Sequence, residues 1–225
     1  MSASELQLLG LSIRIALLAT SLAFPFALVT AWFLASNRGR ARFLVDVLVS
    51  LPLVLPPVVS GYGLLLLLRR DGPLGGFLFW LFGVDVVFTW VAASLAAGII
   101  IFPLMVRSME IALSGVDPRL VNVARSLGSG PIRAFLTITL PLAAKGLAAG
   151  TLLGFIRGLG EFGATIVVAG NIPGQTQTLT LAIFTSLETG RDDMVVRLIM
   201  FSTGLAIVTL IGYAFLLSRR PPQRI

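Results

Sequence analysis

The sequence has no cysteine and no histidine, only one lysine (Lys145), and few charges of either sign. Without Cys there is no disulfide and no thiolate nucleophile, and without Cys and His the usual zinc sites are excluded. No Gly-rich loop ends in Gly-Lys-Ser or Gly-Lys-Thr, so the phosphate cradle of a P-loop ATPase is missing. No Ser/His or Cys/His pair exists to build a hydrolase. Any driving energy must come from another polypeptide or from a gradient, and the chain is not expected to be an enzyme. Charged residues make up 12% of the 225, against about 25% in soluble domains. That leaves too little polar surface to cover a water-soluble globule.

What is present is hydrocarbon and arginine. The chain is 56% hydrophobic with a mean hydropathy of +0.98, and several apolar runs reach the roughly 20 residues that cross a bilayer. Net charge is +7. A basic chain could bind nucleic acid, but here cationic loops on the cytoplasmic face of a membrane account for the balance, so nucleic acid is not an expected partner and membrane lipid is. No Lys or Arg precedes Arg14, and the first apolar run is too long for the core of a signal peptide.

The pattern predicts an all-α membrane protein, one transmembrane domain over 1–225, with about five spans near 8–35, 43–68, 86–107, 142–168 and 196–217. The second span contains Pro52, Pro56 and Pro57 with Ser60, Gly61 and Gly63, so it should be bent or unwound. Irregular backbone at membrane depth is tolerated only against protein or a water-filled cavity. Residues 74–83 and 179–187 are apolar but too short to span. The loop at 37–42, the segment 110–141 with its flanks, and the tail with Arg219, Arg220 and Arg224 fall on one side of the membrane and hold 11 of the 17 Lys and Arg. The positive-inside bias puts that side in the cytoplasm and the N-terminus outside.

The polar segment 110–141 interrupts the apolar chain near its middle. Asp117-Pro118 is a helix start, a capping carboxylate followed by a proline suited to the first turn. Gly128 is a helix stop. Between them Leu120, Val123 or Ala124, and Leu127 share one face, with Arg119, Asn122 and Arg125 elsewhere on the circumference. A helix of about ten residues is marginal alone in water, so it must dock, either on its own bundle, as a basic amphipathic linker at the membrane surface, or on a partner.

Asn122-Val123-Ala124, then three residues, Gly128, nine residues and Ile138-Thr139-Leu140-Pro141 resembles, in register, the cytoplasmic signature of bacterial ABC importer permeases. That signature begins Glu-Ala-Ala, so Asn122 and Val123 depart from it. Leu51–Pro57, 72–75, 158–165 and 169–179 resemble the molybdate ABC transporter permeases, and the sulfate/thiosulfate permeases are similar over the Glu161-Phe162-Gly163-Ala164 region. The resemblance, running from about 10 to about 217, implies a type I ABC importer permease fold in the bacterial inner membrane. It implies a homodimer of this chain, two cytoplasmic ABC ATPase subunits that carry ATP and magnesium, and an extracytoplasmic oxyanion-binding protein. No cofactor is implied on this chain. It also implies that 117–128 is a coupling helix seated in the ATPase, with Asp117, Pro118, Arg119, Leu120, Asn122, Ala124, Arg125, Leu127 and Gly128 as its contact and capping residues.

For the pathway, Gly146, Gly150, Gly154 and Gly158 make a bare ridge every four residues, either a close-packing face or a dimer face that slides. Arg157 and Glu161 are four apart and able to meet. Charges at that depth cost about 2.5–3.5 kcal/mol each on insertion scales and face protein or water. They read as a mutual ion pair, or as positive potential along an anion path. Thr165, Asn171, Thr176 and Thr178 suit oxyanion contact or loop hydrogen bonding. The competing readings are a gradient-driven transporter, which would want a buried acidic relay or an inverted repeat, and a non-transporting membrane anchor.

Overall fold

The computed structural model describes residues 3–218; the tail arginines 219, 220 and 224 lie outside the described residues. Among those residues every regular element is helical. The order is α1 (Ala3–Ser36), α2 (Arg40–Val54), α3 (Pro57–Leu68), α4 (Pro73–Phe82), α5 (Trp90–Ser114), α6 (Pro118–Ser126), α7 (Pro131–Ala134), a π turn (Phe135–Thr139), α8 (Leu140–Leu159), α9 (Gly163–Ala169), α10 (Leu179–Glu188) and α11 (Asp192–Ser218).

The centre is α5, held between α1 and α8. On α1, Ala16, Ala19, Ala23, Ala27 and Ala31 recur at helical spacing and are at most 7% exposed. On α5, Ala93, Ala96 and Ala97 are buried in return, and a Cβ added at Gly98 would lie 3.5 Å from the Ala19 carbonyl. Lipid tails are as apolar as Leu, so close approach of small residues, not hydrophobic exclusion, favours such pairs. On the opposite side, Cβ atoms added at Gly146, Gly150 and Gly154 would meet Ala112 Cβ at 2.5 Å, Ser108 Oγ at 2.9 Å and Met105 Cγ at 2.5 Å. The glycine ridge of α8 is therefore filled by α5 of the same chain. Gly150, Gly154 and Gly158 are buried there and are not a free dimer face.

Among the described residues four helical stretches are long and apolar enough to cross a bilayer, Glu5–Ser36, Trp90–Ser114, Pro131–Leu159 and Asp192–Phe215, and α2 with α3 makes a fifth if that bent pair is one span. The bend between α2 and α3 is 109°. It falls at Leu55-Pro56, where Pro56 and Pro57 lack the donors that would continue the ladder. Three span limits differ from the sequence expectation by more than five residues. The helix expected to end near 107 continues to Ser114, because Arg107 and Glu110 are paired rather than solvated. The span expected to start at 142 is helical from Pro131. There the Leu140 N–H reaches the Phe135 carbonyl in a widened turn, which gives room to the Pro141 ring without breaking the rod. The same span ends at Leu159, not 168, for the reason given below. The polar segment outside long helices is thus 115–130.

Against this frame α3 packs on α9 backbone to backbone. A Cβ at Gly61 would lie 2.8 Å from both Ala164 Cα and Ala164 O, atoms that cannot rotate away. Gly61→Leu is expected to cost about 1–3 kcal/mol or more, as overpacking does, read as a lower thermal midpoint in detergent. Gly63→Ala, with nothing within 4 Å, is the near-neutral control.

Candidate coupling and translocation sites

The short helix α6 begins on Asp117, whose carboxylate accepts the Arg119 N–H at 2.8 Å. It ends on Gly128 at φ +87°. There the Gly128 N–H donates to the Arg125 carbonyl and the Ser129 N–H to the Ala124 carbonyl, both at 3.0 Å. These two bonds are the Schellman pattern, and they satisfy carbonyls that water or a partner would otherwise have to meet. No residue of α6 is buried. Leu120, Val123 and Leu127 are 48, 59 and 82% exposed. With Ala124 they line one wall of a groove of about 500 Å³ whose other wall is Thr137, Ile138, Pro141 and Leu142. Arg119 and Arg125 are exposed, as is Asn122. The expected contact residues thus lie on one solvent-exposed rod with an unfilled apolar side.

Where α2 meets α5 there is a charge cluster that the sequence reading missed. Arg42 Nη2 donates to Glu110 Oε1 at 2.9 Å. Arg107 Nη1 lies 2.5 Å from Asp46 Oδ1 and 3.3 Å from Glu110 Oε2, and Arg107 Nη2 donates to Ser50 Oγ at 2.9 Å. Residues 42, 46 and 50 form a polar stripe at four-residue spacing on a helix that is apolar elsewhere apart from Arg40 at its start, which was the available signal. Its partners lie some 60 residues away and could not be read locally.

At the other break, α8 stops at Leu159 and α9 starts at Gly163. Glu161, 2% exposed, sits in the gap, not in mid-helix. One carboxylate oxygen accepts the Ala164 N–H at 3.0 Å and the other accepts Arg157 Nη1 at 2.9 Å. The side chain therefore caps α9 and pairs Arg157 at once, which is the physical reason the expected single helix is two. The Glu161 carbonyl accepts Thr180 Oγ1 at 3.0 Å, tying in the start of α10. A Cβ at Gly163 would lie 3.0 Å from Pro57 Cβ, so the α2–α3 bend abuts the α8–α9 break.

Interrupted backbone from three places therefore converges here, an arrangement tolerated at membrane depth where protein or a cavity covers it. The Arg157 side chain keeps 40% exposure. Ser60 Oγ is buried without a hydrogen-bond partner. Pro52 is half-buried, whereas Pro56 and Pro57 are exposed on this chain.

Thr165, Thr176 and Thr178 are buried and engaged locally. Thr165 Oγ1 donates to the Phe162 carbonyl at 2.9 Å, Thr176 Oγ1 accepts the Ile172 N–H at 3.0 Å, and Thr178 Oγ1 caps α10 at the Leu181 N–H. Asn171 Nδ2 donates to Thr185 Oγ1 at 2.7 Å. These groups hold the loop and the helix starts together.

Among known families, the one described as binding-protein-dependent transport system inner membrane component matches residues 23–220. The molybdenum transport system permease protein ModB of Escherichia coli K12 is 45% identical over 208 residues, 92% of this chain and 91% of that protein. ModB of Haemophilus influenzae is 40% identical over the same shares. The sulfate transport system permease protein CysT of Salmonella typhimurium is 37% identical over 163 residues, 72% of this chain and 58% of that one. Two solved structures share the fold. A bacterial ABC transporter that imports the acidic polysaccharide alginate has a TM-score of 0.75 at 17% identity, with 99% of this chain and 82% of that chain covered. The MetNI methionine ABC transporter in inward-facing form has 0.73 at 16%, with 98 and 100% covered.

Proposed function

The chain belongs to the binding-protein-dependent transport system inner membrane component family, and on that footing we propose that it is the permease subunit of an ABC importer that carries molybdate inward. The near-full-length likeness to molybdenum permeases carries the substrate assignment. The likeness to a sulfate permease is shorter, and it supports the tetrahedral dianion class rather than sulfate itself.

The division of labour follows from the residues. The chain has no phosphate loop, so a separate ATPase hydrolyses ATP. That partner seats on α6, whose Leu120, Val123 and Leu127 are exposed apolar anchors beside the exposed Arg119. Two copies enclose the pathway. The exposed apolar residues of the α2–α3 bend, Leu53, Val54, Leu55 and Val58 among them, are the surface for the second copy and for the space between. Arg157 offers a partly exposed positive charge beside that bend. One cation already held by Glu161 attracts a dianion without trapping it, since conduction requires release as well as entry. An extracytoplasmic binding protein delivers the anion, and the bundle reorients to release it inside. The basic face carrying α6 is cytoplasmic, with the N-terminus outside.

The test is uptake of labelled molybdate into vesicles holding this chain, its ATPase and its binding protein. Uptake is expected to need ATP, to stop with vanadate, to fall on addition of unlabelled molybdate or tungstate, and to persist in excess sulfate. Uptake abolished by an ionophore yet indifferent to vanadate would make the chain a gradient-driven transporter. Equal competition by sulfate would remove the molybdate assignment.

A further inference from the structure

A cavity of about 610 Å³ opens between the end of α1, the start of α2, the inner flank of α6 and the π turn. It lies on the side of α6 opposite the Leu120–Leu127 groove, because Val121, Asn122 and Arg125 line the cavity while Leu120, Val123 and Leu127 line the groove. Half of its wall is apolar, built around Trp32 and Phe135, whose rings meet at a 32° tilt with centroids 4.6 Å apart. The other half is polar, with hydroxyl, amide and cationic side chains. It carries Arg38, Arg42, Arg125 and Asn122. Arg42 is held by Glu110 at 2.9 Å, whereas Arg38 and Arg125 have no acidic partner among the described residues. The cavity sits where the long apolar run of α1 gives way to the Asn37-Arg38 loop.

We propose that this cavity is a binding site for the phosphate headgroup of one anionic phospholipid, with the acyl chains leaving along the aromatic wall. The wall composition selects an amphiphile over a free oxyanion: an inorganic anion gains nothing from Trp32 and Phe135. Two unpaired guanidinium groups fit a phosphodiester, and basic pockets between helices on the cytoplasmic side are where anionic headgroups lodge. A lipid seated there touches α1, α2 and the polar flank of α6 together, so it braces α6 from the flank opposite the Leu120–Leu127 groove. The inference rests on the cytoplasmic placement of α6 and not on the identity of the transported anion.

The experiment is native mass spectrometry of the permease–ATPase complex, purified in detergent with added phosphatidylglycerol, phosphatidylcholine or inorganic phosphate. Phosphatidylglycerol is expected to be retained as one molecule per permease chain. Arg38→Gln should weaken that retention about fivefold, the effect of one basic residue at an anionic surface. Arg70→Gln, at the other end of α3, should leave it unchanged. A photoreactive phosphatidylglycerol should label Trp32 or its neighbours in the wild-type complex, a readout that holds even if Arg38→Gln assembles poorly. Equal retention of phosphatidylcholine, displacement by inorganic phosphate, or unchanged retention in Arg38→Gln together with labelling elsewhere would each overturn the proposal. None of these readouts needs transport, so failure here is separate from failure of the molybdate assignment.

Discussion

Arg157→Ala is expected to lose about 3–5 kcal/mol of stability, the cost of leaving a buried charge without its partner. Arg157→Ala with Glu161→Gln should recover most of that loss. The asymmetry comes from burial. Glu161 is 2% exposed, whereas the Arg157 side chain keeps 40% of its surface. Removing the arginine strands a carboxylate in a low-dielectric gap with only the Ala164 N–H to stabilise it. Glu161→Gln removes the charge but keeps an amide oxygen for that same N–H, so the start of α9 stays capped. Thermal unfolding in detergent reads the order wild type, then double variant, then Arg157→Ala.

Uptake separates the two roles left open for this pair. If Arg157 also supplies positive potential to the anion, the double variant folds but transports poorly. If the pair is only structural, folding and uptake recover together. A single Arg157→Ala chain as stable as wild type would show that the pair has little energetic weight.

The second large effect is at Gly128. Nothing lies within 4 Å of a Cβ added there, yet its φ is +87°. Gly128→Val therefore meets no clash and acts only through the backbone, at about 1–3 kcal/mol for a side chain forced into the left-handed region. Because α6 has no buried residue and nine residues are marginal as an isolated helix, a loss of that size is a large fraction of what keeps it folded. The expected outcome is normal membrane insertion, weaker retention of the ATPase, and ATP hydrolysis uncoupled from uptake. Gly128→Asn should stay near wild type, since Asn adopts φ > 0 more readily than other side chains. Normal coupled uptake in Gly128→Val would show that the Schellman end is not needed for docking.

Much of this architecture is legible along the chain because it depends on local rules. Apolar run length marks the spans, the three prolines at 52, 56 and 57 mark the bend, and Asp117-Pro118 with Gly128 brackets α6 to within two residues. What could not be read depends on contacts distant in sequence. The charges Arg107 and Glu110 look like the end of a span until Arg42 and Asp46 of α2 are placed against them. Gly160 and Glu161 stand in an otherwise apolar run, but neither a glycine nor one charge by itself ends a membrane helix, so the end of α8 shows only once the Glu161 carboxylate is seen to bond the Ala164 N–H. The glycine ridge advertises a close approach but not its partner; that α5 fills it, through Met105, Ser108 and Ala112, follows only from the packing.

If α6 is a cytoplasmic lever held by an ATPase, as proposed, a thiol on it changes its accessibility with that partner; Leu127→Cys supplies one, because residue 127 is 82% exposed and the chain has no other cysteine. A membrane-impermeant maleimide should label this thiol in inside-out vesicles stripped of the ATPase, fail to label it when the ATPase is bound, and fail in right-side-out vesicles. Labelling from the outer face, or labelling indifferent to the ATPase, would contradict the account.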